Sequence, residues 1–186
     1  MKTKEKELAQ LNEKIKKCKK CKLWKMRNNV VPGEGPSNAK VMIIGQAPGV
    51  QEDKTGRPFV GPAGKFLNYL LKLAGLNRKE IFITSPLKCL PQPPVNRKPK
   101  KEEIEACFPW LKKQIEIINP EIFILLGEVA FSVFFPNKKL KDFRGKWIEE
   151  ENRKFFVTYH PAAGIRFPEI KKILEKDFRK LKELTF

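Results

Sequence analysis

Apolar residues along this chain gather in four short unbroken runs separated by stretches of helical periodicity. The runs are Val41–Ile44, Ile81–Thr84, Ile122–Leu126 and Phe155–Tyr159. Unbroken runs, rather than alternation, are what strands covered on both faces require. Between them, Ala63–Ala74 carries Phe66, Leu67, Leu70, Leu71 and Ala74 at helical spacing, and Lys101–Ile118 carries Ile104, Cys107, Phe108, Leu111, Ile115 and Ile118. Further helices are predicted over Glu5–Lys17, Glu128–Phe135 and Glu169–Leu184. The last turns Ile170, Ile173, Leu174 and Leu181 inward and Lys171, Lys172, Lys176, Arg179 and Lys180 outward. Strands that alternate with helices form right-handed βαβ units. The expected fold is α/β, a three-layer α/β/α arrangement around a central four-stranded parallel sheet. The 186 residues are enough for one domain with its own core, 1–186.

This topology puts the loops that follow the strands on one rim: Gln46–Pro62, Ser85–Lys100, the segment from Gly127, and His160–Pro168. Open α/β sheets bind ligands at that rim. The first loop is dense in glycine and proline, through Gly45-Gln46-Ala47-Pro48-Gly49 and Gly56-Arg57-Pro58-Phe59-Val60-Gly61-Pro62-Ala63-Gly64. Such residues shape a pocket wall rather than fill a core, because glycine admits close backbone approach and proline fixes φ.

The formal net charge of +18 changes the picture by naming a class of partner. A domain this basic suits polyanions, nucleic acid first. A lysine-rich solvated surface, as in heat-adapted proteins, accounts for the charge equally well, and 32% charged residues lean towards a thermophile. No apolar run approaches the roughly 20 residues of a membrane span. The N-terminal Met1–Leu8 is a charged helix without a signal-peptide core, so a cytoplasmic protein without membrane association is expected.

Four cysteines, Cys18, Cys21, Cys89 and Cys107, bring candidate metal chemistry. The Cys-Lys-Lys-Cys spacing presents two sulfurs to one centre. Four thiolates in a cytosolic α/β chain fit zinc or a [4Fe–4S] cluster, and spacing does not separate the two. Either would tie the N-terminal helix to the domain. The lone histidine, His160, closes the fourth strand at the same rim as the glycine-rich loop. One histidine does not complete a histidine-based zinc site. A serine-hydrolase elbow, a phosphate loop and a dinucleotide fingerprint are all missing from the sequence.

Taken together, these motifs resemble the family 4 (iron–sulfur) uracil-DNA glycosylases. The matching pieces are Cys18-x-x-Cys21, Gly45-x-Ala47-Pro48-Gly49 with Glu52-Asp53, Gly56 to Gly64, Lys88-Cys89, Asn96-Arg97-Lys98-Pro99, Cys107 and His160-Pro161-Ala162-Ala163. They run in order over nearly the whole chain.

The resemblance implies a DNA repair enzyme that flips uracil from DNA and hydrolyses its N-glycosidic bond. It implies a [4Fe–4S] cluster on Cys18, Cys21, Cys89 and Cys107. It makes Phe59 the surface on which the base stacks and His160 the donor to the uracil O2. Backbone N–H groups at Gln46 and Ala47 add to the anion site, and Glu52, Asp53 and Asn96 fall near the reacting water and sugar. Gly164, Ile165 and Arg166 would enter the minor groove.

Two positions depart from the family pattern. Gln46 replaces a glutamate, which removes a general base there. Ser85 replaces an asparagine that reads the uracil edge, and a hydroxyl offers less than an amide. Two other readings therefore stay open: a glycosylase for another deaminated base such as hypoxanthine or xanthine, and a catalytically weak iron–sulfur DNA-binding module. The expected partner is DNA carrying a damaged base, with a replication clamp left open as recruiter. A monomer is expected, because no helix shows a second apolar face.

Overall fold

The protein is described by a computed structural model over residues 2–183. It contains, in chain order, α1 (Lys2–Lys16), β1 (Val41–Ile44), α2 (Val50–Thr55), α3 (Pro62–Leu73), β2 (Ile81–Thr84), α4 (Lys101–Ile118), β3 (Ile122–Leu126), α5 (Glu128–Phe134), α6 (Leu140–Phe143), β4 (Trp147–Glu150), β5 (Arg153–Thr158), α7 (Pro161–Arg166) and α8 (Pro168–Arg179). A 3-10 turn, Lys180–Glu183, follows α8. The helix predicted over Glu169–Leu184 thus tightens at Lys180, and Leu184 lies outside the described residues.

The sheet has five strands in the order β2-β1-β3-β5-β4. The β2-β1-β3-β5 part is parallel, in register from Val41 beside both Ile81 and Ile122. The expected four-stranded parallel sheet is therefore the larger part of a mixed one. The fifth strand, β4, pairs antiparallel with β5. Its residues Trp147-Ile148-Glu149-Glu150 are mostly exposed, so a search for buried apolar runs passes over them. The two strands join through Glu151 and Asn152, both at positive φ (50° and 61°), the backbone of a two-residue hairpin.

Each parallel strand divides its side chains between the two faces. Met42, Ile44, Phe123, Leu125, Phe155 and Val157 pack beneath α4 and α5 with Leu111, Ile115 and Phe131. Val41, Ile43, Ile122, Ile124, Leu126 and Phe156 pack against α3 and α8 with Leu67, Leu70, Leu71, Leu174 and Phe178. A third cluster, Leu11, Ile15, Leu23, Val30, Leu87 and Cys89, joins the end of α1 to the loop after β2. Among the described residues no helix is long and apolar enough to cross a membrane.

Strand order places the switch point between β1 and β3, whose onward connections leave in opposite directions. The glycine-rich loop, Gly127 and His160 all emerge at that end of the sheet. A buried polar group pins the last of these strands. Asp177 of α8 accepts from Arg144 at 2.9 and 3.0 Å and from Thr158 Oγ1 at 2.7 Å, just before His160. Asp177 is 1% exposed. Asp177→Ala, which strands the Arg144 cation and the Thr158 hydroxyl, is expected to lower unfolding free energy by about 3 kcal/mol in a denaturant titration.

Candidate base-binding site and thiol cavity

The glycine-rich loop is two arms held together by one carboxylate. The first arm runs from Gly45 into α2, which Gly49 caps and which ends at Gly56 in the left-handed conformation (φ 71°). Glu52, in the first turn of α2, accepts from Gly49 N at 3.1 Å. Its other oxygen accepts from Val60 N and Gly61 N, both at 2.8 Å, on the second arm. Pro62 then opens α3 at the position where a missing N–H costs nothing.

Between the arms Phe59 turns inward with φ 52°. Its ring stacks on that of His160, centroids 5.6 Å apart and planes 27° apart. Both lie over Gly45, where a Cβ would meet the Phe59 ring at 2.7 Å and stand 3.7 Å from His160 Nε2. A Cβ on Gly64 would overlap the Phe59 carbonyl itself. Gly127, at φ 87°, leaves room on the other side, since its Cβ would come within 2.9 Å of the His160 Cβ. In the sequence Gly127 is marked only by position, as the first residue of a rim loop after a buried strand.

His160 caps α7 with its own ring. Nδ1 accepts from Ala162 N at 3.2 Å. Burial holds its pKa down to about 4, against a smaller opposing pull from Glu52. The residue as a whole stays partly accessible. At neutral pH the imidazole is therefore uncharged. With Nδ1 occupied as acceptor, its proton sits on Nε2, the nitrogen on the Gly45 side.

The other predicted site residues divide. Asn96, exposed at φ 60°, brings its Oδ1 to 3.8 Å from where a Gly49 Cβ would lie, so it borders the same loop. Arg97 beside it donates to the Pro93 and Lys98 carbonyls and pairs with Glu103 at the start of α4. Gln46 is half-buried on the rim. Ala47 packs towards the third cluster.

Asp53 points away. It is 1% exposed and accepts from the backbone and side-chain amides of Asn28, so it fastens the N-terminal segment instead of reaching water or sugar. Ser85 is also committed, donating its hydroxyl to the Leu87 carbonyl. Gly164 is buried, and a Cβ there would strike Phe66 and Leu174 at 2.6 and 2.7 Å, so it packs α7 against α3 and α8. Ile165 and Arg166 are exposed, joined by Phe167, which the sequence reading did not single out.

All four cysteines line one cavity beside the loop that follows β2. Cys18 and Cys21 come from the turn after α1, Cys89 from the loop after β2 and Cys107 from α4. Among the described residues no three histidine, cysteine, aspartate or glutamate side chains are grouped as around a single ion. The thiols instead ring a common space. Burial raises the pKa of Cys21 and Cys89 and carries Cys107 to about 12, so these groups would ionise only against a bound cation. Two donors already aim at the sulfurs: Trp110 Nε1 to Cys18 Sγ at 3.2 Å and Arg27 Nη1 to Cys89 Sγ at 3.4 Å. Lys88, 1% exposed, donates to Thr84 Oγ1 (2.6 Å), the Ser85 carbonyl (2.8 Å) and Gln114 Oε1 (2.7 Å). It stands between the thiols and the rim.

At the switch point of this α/β domain the face of Phe59 thus stands beside the uncharged ring of His160. The sequence profile described as "Uracil DNA glycosylase superfamily" matches residues 32–182. The chain is 49% identical to the "Type-4 uracil-DNA glycosylase" of Saccharolobus solfataricus, over 92% of this chain and 83% of that one. It is 46% identical to the protein of the same name from Sulfurisphaera tokodaii, over 96% and 84%. Against that of Thermotoga maritima the identity is 41%, over 98% and 96%. The chain belongs to the uracil-DNA glycosylase superfamily.

Because His160 is the only histidine, its titration is directly readable. Its ring resonances in NMR should titrate near pH 4 rather than near the ordinary value of about 6.5. The sign for stability follows. A histidine pKa depressed in the fold lets the unfolded chain bind the proton first, so stability should fall as pH drops from about 6.5 towards 4. His160→Gln should remove that contribution to the slope in the same window.

Proposed function

We propose that the protein excises uracil from DNA by hydrolysing the N-glycosidic bond, leaving an abasic site. The observation that carries this reading is the juxtaposition of Phe59 and the His160 Nε2–H over Gly45, in a chain of this superfamily. Its similarity to three proteins named type-4 uracil-DNA glycosylase supports the same substrate.

Unstacking the base costs a few kcal/mol. Stacking on Phe59 returns roughly 1–3 kcal/mol. Phosphate contacts from a surface of net charge +18 supply sequence-independent affinity. Ile165 and Arg166 at the end of α7, with Phe167 between α7 and α8, are exposed, and an apolar wedge beside a cation suits the minor groove.

As the glycosidic bond breaks, negative charge gathers on the leaving base. The Nε2–H of His160, with backbone N–H groups near Gln46 and Ala47, receives that charge at O2. A neutral donor already fixed in place stabilises the anion with little reorganisation. Water activation takes second place. Glu52 is engaged by backbone donors, Asp53 is turned away and Gln46 is not basic. The rim retains Asn96, whose amide orients a water, and an oxocarbenium-like sugar makes small demands on its nucleophile. With Ser85 bonded to Leu87, base selection rests on the anion site and the stacking wall more than on an edge-reading amide.

The lining of one cavity by Cys18, Cys21, Cys89 and Cys107 supports a [4Fe–4S] cluster as the group they would hold. Four sulfurs around a common space suit a multi-atom group, and the Trp110 and Arg27 donors suit bridging of charge onto thiolates. Bound there, the cluster would supply covalent closure between the N-terminal turn, the β2 loop and α4. The chain's own part is to deliver the sulfurs, shield them and offset their charge with Lys88, Arg27 and Lys20.

Oligonucleotides containing uracil, hypoxanthine or xanthine, treated with the protein and then with alkali, test the reaction. Strand cleavage at uracil is expected. Cleavage at hypoxanthine or xanthine alone would reassign the base, and cleavage at none would leave a binding module. His160→Ala should slow excision by about a hundredfold or more while DNA affinity stays nearly unchanged. Purified protein should be brown and hold roughly four irons per chain. Colourless protein with one zinc would remove the cluster from the reading.

A further inference from the structure

Phe59 occupies a backbone conformation that a bulky side chain disfavours. Its φ of 52° lies in the left-handed region, which is strained for a side chain of this size. Such a turn persists only where its surroundings dictate it. Glu52 holds the amides that follow, Val60 and Gly61. The carbonyls are held from elsewhere. Arg78 Nη2 donates to Pro58 O at 2.7 Å, and Nη1 reaches Phe59 O at 3.4 Å. Nη1 also donates to Asn68 Oδ1 of α3 at 2.8 Å, which fixes the plane of the guanidinium.

Arg78 arrives from the 3-10 turn Arg78–Glu80, directly before β2, and is half-buried. The neighbouring Arg57 serves another purpose, since it pairs with Glu34 at 2.7 and 2.9 Å on an exposed face. One arginine satisfies a carboxylate, while the other satisfies the peptide groups of the turn.

We infer that Arg78 is a positioning residue for the base-stacking wall. By binding the Pro58 and Phe59 carbonyls it holds the left-handed turn that sets the Phe59 ring over Gly45 and beside His160. The inference rests on the reading of Phe59 as the surface that receives the flipped base. A planar fork is needed for the task, because a lysine ammonium cannot span two carbonyls and Asn68 in one plane.

A double-mutant cycle tests it, with Arg78→Gln and Phe59→Leu, alone and combined. The readout is single-turnover excision of uracil at saturating enzyme, alongside DNA affinity and unfolding temperature for each variant. Misplacing the ring should make Arg78→Gln slower by about tenfold or more, with Kd within about twofold of the parent. In the Phe59→Leu background the same substitution should cost less than about twofold, because its target is already gone. Arg78→Lys should fall between parent and Arg78→Gln, and it provides the same comparison if the glutamine variant does not fold. Equal slowing in both backgrounds would overturn the inference and leave the role of Phe59 standing. A Phe59→Leu enzyme as fast as the parent would remove the stacking reading, and the inference with it.

Discussion

One carboxylate accounts for the shape of the rim. Glu52 accepts from Gly49 on one arm of the glycine-rich loop and from Val60 and Gly61 on the other. Few side chains could replace it. The three donors approach two oxygens from different directions, and only an ionised carboxylate offers acceptor positions enough without a donor of its own. The stacking wall of the pocket is built on that closure. The left-handed turn at Phe59 lies inside it, the ring of Phe59 settles on Gly45, and His160 stacks on that ring. The residue that looks most like a base in sequence is spent on architecture.

The thiol cavity and the rim are physically continuous. Lys88 precedes Cys89 and bonds to Thr84 and to the Ser85 carbonyl, the point where β2 gives way to the rim. Arg97, next to Asn96, is paired with Glu103, one turn before Cys107 on α4. Arg27 reaches Cys89 Sγ and also the carbonyls of Lys16 and Cys18, so it fastens the end of α1 to the same place. The N-terminal segment is thus tied both to the thiol cavity and, through Asn28 and Asp53, to the glycine-rich loop.

Much of this was legible in sequence because burial is written as composition. The four parallel strands fall on the apolar runs, since covering both faces of a strand leaves no polar position to hide it. The edge strand β4 escaped because exposure returns it to an ordinary charged stretch. The short helix α7 escaped too: Pro161 and Gly164 read as breakers, although proline suits a first helical turn and Gly164 is a packing contact. Side-chain direction was the least legible layer. Asp53 follows Glu52 in sequence yet faces Asn28, 25 residues away, and Ser85 turns to its own loop. Such choices depend on which partner the tertiary structure delivers, and periodicity does not carry that information. Arg78 was silent for the same reason, being a lone arginine in a basic chain until its two carbonyls are seen.

The glycines that frame the pocket set the terms on which this lineage can evolve. Gly64 has no volume for a Cβ, Gly45 would drive one into Phe59, and Gly127 would drive one into His160. Substitution at any of them breaks the frame before it alters a preference. Gln46, half-buried on the rim, carries a side chain outside that frame. A replacement at Gln46 leaves every one of those close approaches untouched, whereas a replacement at the glycines does not.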